Sequence, residues 1–454
     1  MAGEMGAFDT AATALEVVGE LSISSRQITK LVKEAGSTMA SERDARTRQY
    51  VDSLRPCETQ PCETLSCETQ PCVDSPPPSD VIPSDMIPSD MIPSDVIPSD
   101  VLPSDVLPSD VLPEEPPLDL VAVFTDGGRM RTRTPDCGSG IHSPHWRETK
   151  NAAFHEMQSQ SFDDDPQVEL PDCFRNAAYV EKLVKGLKNM RKDGREEEED
   201  SPSESSDSAT DHGVKPSDPL SRWQPETQFR TCVSSLASSK DFGPMMAAEA
   251  NARGFYAAKK KAFVGDGQAY NWTIQQQWFP KFKPIADFVH VVEYVYSLAK
   301  AVARDEASRW QLYLEWTTAC WQGRVADVVE SLRAWQTQLG VPGEGEKLAE
   351  HDPRKILQKT LTYLTNNCSR MDYPSYRRAG LPTTSSLAES LVKQVSKRVK
   401  GTEKFWNDGV SGEAILQLRA AVLSHGNQLA QWVQNRPISV FSPRCRPRLT
   451  ANAP

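Results

Sequence analysis

Three acidic residues sit where a carboxylate could do chemistry. Asp126 closes an apolar run, LDLVAVFTD (118–126), and is followed by Gly127-Gly128. Asp266 closes a second short run, KAFVGD, and is followed by Gly267. Glu389 falls in the first turn of a helix, LAESLVKQVSKRVK, that follows Ser385-Ser386 and stops at Gly401. Gathered together, such hard carboxylate oxygens suit Mg²⁺, which keeps waters and substrate phosphates as its other ligands. Two such ions about 3.5–4 Å apart activate an attacking oxygen and stabilise a leaving one in phosphodiester chemistry. Each acid also has a plainer reading. Asp before Gly is ordinary turn chemistry, and Ser386-Leu-Ala-Glu389 fits a capping box.

The same segments carry cations. After Gly127-Gly128 the run RMRTRT has a period of two, which puts Arg129, Arg131 and Arg133 on one strand face with Met130 and Thr132 on the other. Lys393, Lys397 and Lys400 follow Glu389 at helical spacing and share its face. They are a solvated stripe or a track for a phosphate backbone. Residues 370–448 hold 13 basic and 5 acidic residues, which favours the track.

These residues need elements to hold them. The pattern predicts a strand at 118–126, a two-residue Gly127-Gly128 hairpin turn, a second strand at 129–134 and a third at 145–154. A helix near 241–259 leads into the strand that ends at Asp266. Residues 285–337 read as helical and rich in aromatics, including Trp310, Tyr313, Trp316, Trp321 and Trp335. This β-β-β-α-β order, followed by helices and then a helix carrying an acid, is that of an α/β, RNase H-like domain with a mixed sheet. Upstream, 9–50 reads as two helices broken at 19–24, the second capped by Ser24 or Ser25 and bearing Ile28, Leu31, Val32 and Ala35. That shape fits a helix-turn-helix with Arg26, Lys30 and Lys33 available for phosphates, or a plain helical hairpin.

Composition sets the limits. The chain has 454 residues and 38% hydrophobic content, below the roughly 45–50% usual for globular chains. The deficit lies in two tracts. Residues 78–112 are seven copies of P-S-D-[VM]-[IL], and 15 of the 34 prolines fall between Pro56 and Pro117. Proline at every fifth position forbids helix and interior strand, so this is an extended linker. Cys57, Cys62, Cys67 and Cys72 belong to a pentapeptide repeat; their spacing follows that unit or holds a metal. The second tract, 196–213, is acidic and serine-rich. The net charge is −11, yet outside 56–118 and 193–211 there are 40 acids against 50 bases. The foldable part is therefore a cation suited to a polyanion such as nucleic acid. No apolar run approaches the roughly 18–20 residues of a membrane span. The start of the chain is expected to carry no secretory signal, and the ten cysteines are expected to be reduced.

Six blocks, AVFTDGGRMRTR, HWRETK, AFVGDGQAYNW, IADFVHVVEYVYSLAKA, RMDYPSYRRAGLPTTSSLAESLVKQVSKRVKGTEKFW and AILQLRAAVLS, together resemble bacterial insertion-sequence transposases of the ISKra type, DDE enzymes distantly similar to the Mutator-like group. The resemblance spans most of 118–436 and also 7–48. It implies that Asp126, Asp266 and Glu389 are the catalytic and metal-holding acids, with two Mg²⁺ (or Mn²⁺) ions per site. It implies that Asp287 and His290 form a secondary D-x-x-H motif; on the residues alone, His290 is a packing histidine of an aromatic helix. The implied function is to bind terminal inverted repeats and catalyse strand cleavage and strand transfer. The arginines would hold the scissile phosphate or its flanks. Double-stranded DNA, at element ends and target, is the implied partner, bound by a homo-oligomer in the bacterial cytoplasm at the nucleoid.

The expected organisation is a helical DNA-binding segment at 1–55, a disordered linker at 56–117, the RNase H-like domain in three parts (118–192, 226–270 and 366–436), an acidic insert at 193–225, a helical insertion at 271–365 and a basic tail at 437–454. The family usually carries a longer N-terminal part with paired, zinc-binding-looking cysteines, whereas this sequence begins at the helical segment. The alternative expectation is thus a truncated or inactive remnant acting only as a DNA-binding protein.

Overall fold

The computed structural model describes residues 11–12, 15, 22–55, 117–133, 145–191, 223–343, 346, 348–384, 394–395, 406–426 and 428–435. The proline repeat, the repeat cysteines, the acidic tract at 196–213, Glu389, Lys393, Lys397, Lys400 and the C-terminal arginines lie outside the described residues.

A five-stranded mixed sheet in the order β3-β2-β1-β4-β5 organises an α/β fold. Strand β1 (Leu120–Arg131) pairs antiparallel with β2 (Trp146–Gln158), which pairs antiparallel with β3 (Glu226–Ser235). On its other side β1 runs parallel to β4 (Lys260–Gly265), and β4 runs parallel to β5 (Lys283–Ala286). The apolar start of β1, Leu120 to Phe124, is fully buried, as a continuous hydrophobic run in a central strand should be.

The predicted hairpin at Gly127-Gly128 does not form. β1 passes straight through both glycines, with Asp126 opposite Asn151, Gly127 opposite Lys150 and Gly128 opposite Thr149. Neither glycine has a positive φ, which a type I′ turn needs at both central residues. The reason is pairing: Arg129, Met130 and Arg131 continue the ladder against Glu148, Arg147 and Trp146. The two expected strands are one, and its side chains still alternate. Met130 and Thr132 are buried, Arg129 and Arg131 half-buried, and Arg133 exposed.

Helix α1 (Ser25–Ser53) starts at Ser24, which forms a reciprocal capping box with Gln27. It runs unbroken for 29 residues. Two short helices, α2 (Asp172–Arg175) and α3 (Ala177–Arg191), follow β2. Helix α4 (Ser239–Ala252), capped by Ser238, joins β3 to β4, and α5 (Ala269–Trp278) joins β4 to β5. The aromatic region forms α6 (Phe288–Val302), α7 (Glu306–Trp321) and α8 (Val325–Leu339), then α9 (Pro353–Asn367) and α10 (Tyr373–Arg378). Tyr313, Trp316 and Trp321 are buried there, while Trp310 and Trp335 are half-buried. Last come α11 (Gly409–Leu423) and α12 (Gln428–Asn435).

Helix α1 lies along α11. A Cβ on Gly36 would fall 2.1 Å from the Ala414 carbonyl oxygen, so the backbones touch there. Arg43, buried on the same face, pairs with Glu413 at 2.7 Å. Glu413 also accepts from the Ser235 hydroxyl and the Leu236 N–H at the end of β3. Among the described residues no helix is long and apolar enough to cross a membrane, and Cys173, Cys232, Cys320 and Cys368 are free thiols.

Candidate active site

Two parallel strands, β4 and β5, end level with the middle of β1. Thr125 of β1 is in register with Gly265 of β4, and Gly265 with Ala286 of β5. The next residues along are Asp126, Asp266 and Asp287. Neighbouring strands lie roughly 4.8 Å apart, so the sheet sets three acids in a row from positions far apart in sequence.

Asp126 is buried, and its carboxylate accepts the Gly127 N–H at 2.7 Å. Across the ladder Asn151 takes a hydrogen bond from Ser234 at 2.8 Å, which ties β2 to β3 at the level of Asp126.

Asp266 is buried too. One oxygen accepts the Gln268 N–H at 3.0 Å and the Asn271 amide at 2.8 Å; the other accepts the Gln268 side-chain amide at 2.7 Å. Asn271 in turn accepts from the Thr125 hydroxyl at 3.1 Å and so bridges β4 to β1. Gly267 makes this tight strand-to-helix turn possible. Its φ is +92°, and a Cβ there would sit 2.4 Å from Tyr363 of α9. Asn367 braces the loop from the same helix, donating to the Gly267 carbonyl at 3.5 Å and accepting from Trp272 Nε1 at 2.8 Å.

Four side chains complete the site that sequence reasoning did not single out: Glu148, Lys150, Tyr270 and Asn271. Lys150 of β2 is buried opposite Gly127, donates to Glu148 at 3.0 Å and lies 5.6 Å from the centre of the Tyr270 ring. A Cβ on Gly127 would lie 3.6 Å from Glu148 Oε1 and 3.7 Å from Tyr270 Oη, so the phenol reaches the strand where a side chain is missing. Burial drives the Tyr270 pKa well above the usual tyrosine range; the charges of Asp266, Glu148 and Asp126 push it further, and Asn271 acts the other way. The hydroxyl is therefore a neutral O–H. It is buried, and among the described residues no acceptor for its O–H lies within hydrogen-bond distance. A local signal existed, since Tyr270 and Asn271 stand in the first helical turn after Asp266.

Asp287 and His290 are placed differently. The Asp287 N–H donates to the Gly265 carbonyl at 2.9 Å, and its carboxylate caps α6 through the Val289 N–H at 3.2 Å. His290 is buried between Asp287 Oδ2, 3.6 Å from Nε2, and Glu293 Oε2, 3.4 Å from Nδ1. Glu293, also buried, is a further residue the sequence reading passed over.

On the β1 side Arg131 lies over the Trp146 ring at 5.2 Å, and Arg147 donates to Thr132 at 3.3 Å. Thr132 pairs with Trp406, whose N–H meets the Arg131 carbonyl at 3.0 Å. The segment containing Glu389 is bounded by Thr383, whose carbonyl accepts the Phe288 N–H, and by Gln394, whose carbonyl accepts from Arg419.

Among the described residues no three His, Cys, Asp or Glu side chains group as a metal site. Asp126 and Asp266 are nevertheless hard oxygen donors of the kind Mg²⁺ takes, and the buried Tyr270 hydroxyl, with no acceptor among the described residues, lies next to Gly127 on the same strand as Asp126. The residues present fit a hard cation with an oxygen-rich ligand. A scan against protein-family models and a search of curated proteins each find no match to this chain.

Proposed function

We propose that this chain is a DDE transposase with an RNase H-like catalytic domain, which binds the terminal inverted repeats of an insertion sequence and cuts and joins DNA strands. The observation that carries the reading is the pair of buried carboxylates, Asp126 and Asp266, on adjacent parallel strands at one level. The order around them, β1, β2, two helices, β3, a helix and then β4 parallel to β1, supports the RNase H-like reading.

Asp126 and Asp266, with Glu389 as third carboxylate, would hold Mg²⁺ or Mn²⁺. Bound there, two such ions supply charge neutralisation and a nucleophilic oxygen at neutral pH. The chain's own residues fix the geometry. Gly267 and Asn271 lock Asp266 against β1. Arg129 and Arg131 of β1, with Arg133 just beyond it, would set positive charge along the DNA flanking the cut, and Lys393, Lys397 and Lys400 would add to it. The N-terminal helices, as a helix-turn-helix, would engage the repeats, in a homo-oligomer at the bacterial nucleoid.

The deciding experiment is Asp126→Asn, assayed for Mg²⁺-dependent cleavage of DNA carrying the gene's flanking sequences and, in parallel, for DNA affinity by mobility shift. Cleavage is expected to vanish while affinity holds or rises, because one negative charge facing the phosphates is removed. An Asn variant that still cuts rejects the assignment. A second reading, a DNA-binding remnant without cleavage, draws on the Asp266 carboxylate, which already serves as a three-bond staple for its own loop. Wild-type protein that shifts repeat DNA without cutting it would establish that reading.

A further inference from the structure

The strongest loose end at the site is the Tyr270 hydroxyl. A buried O–H without a partner costs roughly 1–3 kcal/mol, and buried polar groups are paired in the great majority of cases. Here the hydroxyl is buried with no acceptor for its proton among the described residues. It faces the one stretch of β1 that carries no side chain, beside Glu148 and against the strand of Asp126. Its helix starts from the loop that holds Asp266. A tyrosine hydroxyl carries its proton at neutral pH, so it can donate. Lys150, beside the ring, is engaged with Glu148.

We propose that Tyr270 is a substrate-contacting catalytic residue, whose O–H donates a hydrogen bond to a non-bridging oxygen of the phosphodiester held at Asp126 and Asp266. This rests on the transposase reading above. No proton is transferred; the bond strengthens as negative charge builds on the phosphoryl oxygens, which is when a fixed neutral donor helps most. Gly127 is the complementary feature, because a Cβ there would come into van der Waals contact with the hydroxyl and take the space beside it.

The test is Tyr270→Phe in the full-length chain, which removes one oxygen and keeps the ring on Lys150. With Mg²⁺ and a plasmid carrying the gene and its flanks, the single-turnover cleavage rate is expected to fall roughly 10- to 100-fold, the span of one hydrogen bond to a charged group. Duplex affinity should be unchanged. The thermal midpoint should hold or rise, because an unpaired polar atom leaves the interior. A variant that cuts at the wild-type rate overturns the proposal, and so does a slow variant whose midpoint falls, which would mark a structural hydroxyl. If wild type and Asp126→Asn are equally unable to cut, the transposase reading fails and takes this proposal with it. If they differ while Tyr270→Phe matches wild type, the Tyr270 role fails alone.

Discussion

Asp266 and Asp287 each follow a parallel strand by one residue, on neighbouring strands in register, yet the two acids are used in opposite ways. Asp266 is held by neutral amides, two of them from Gln268, a residue exposed at the surface. Among the described residues no cation pairs with it, and its negative charge acts on the phenol of Tyr270. Asp287 caps α6 and meets the His290 ring, which also faces Glu293, so its cluster is internally partnered and sealed in the core. Position at a strand end therefore does not make an acid reactive. What the neighbours leave unmet does.

The sharpest way to break that contrast is to neutralise each acid in turn. Asp266→Asn should reduce Mg²⁺-dependent cleavage by at least about 10³-fold, the scale on which catalytic groups act, with little change in thermal midpoint. Asp287→Ala should do the reverse. It removes an N-cap worth about 1 kcal/mol and strips His290 of a partner, lowering stability by roughly 2–4 kcal/mol while cleavage per folded molecule changes only a few-fold. A stable Asp287→Ala protein that has lost cleavage would put the α6 cluster into the chemistry.

Next comes the backbone. Gly267→Ala combines a left-handed φ with a Cβ driven into the Tyr363 ring, and a loss of roughly 2–4 kcal/mol follows. Chemical denaturation measures it. Gly127→Ala has no such strain, since its φ is extended and its neighbours are at ordinary contact distance. Its effect should appear in cleavage rate, through a methyl group occupying the space beside the Tyr270 hydroxyl, and not in stability.

These positions were unequally legible in the sequence. Asp266 stood out because KAFVGD ends in an acid before a glycine, and the arginine face of β1 followed from a period of two. The hairpin at Gly127-Gly128 was misread because the local chemistry suited a turn. The partner that keeps the strand straight begins at Trp146, beyond reach of a local pattern. β3 went unread since its buried half is polar, with Thr231, Ser234 and Ser235 all inside. β5 went unread since it has four residues, one of them Pro284, which an edge strand tolerates. Glu148 and Lys150 look like a solvated strand face until pairing sets them opposite Arg129 and Gly127.

Acid titration extends the contrast to a second buried histidine. His290 lies between carboxylates, whereas His155 of β2 is buried near Arg230 and His425, with its ring edge-on to Phe124. Burial, aided by Arg230 and His425, pulls the His155 pKa down from 6.5 to about 3. The folded state therefore refuses a proton that the unfolded chain accepts. Above pH 6.5 the residue has no effect on stability; as pH falls from 6.5 toward 3, stability drops by up to a few kcal/mol. Denaturant midpoints at pH 7, 5.5 and 4 should show this slope, and His155→Leu should flatten it.

The smallest effect belongs to the rim of the site. Glu148 is half-exposed and holds Lys150, which is buried. Glu148→Gln preserves the shape and a hydrogen-bond acceptor but removes the charge. Exposed carboxylate pairs contribute roughly 0–1 kcal/mol, and the burial of Lys150 raises this to about 1–2 kcal/mol. The same change removes one of the three charges bearing on the Tyr270 phenol without touching its hydroxyl. If the phenol acts as a neutral donor, the cleavage rate of Glu148→Gln should stay within a few-fold of wild type, because a hydroxyl already protonated at neutral pH gains nothing from a lower pKa. A rate loss as deep as that of Asp266→Asn would instead make Glu148 a third acid of the site, and the line between its rim and its centre would have to be redrawn.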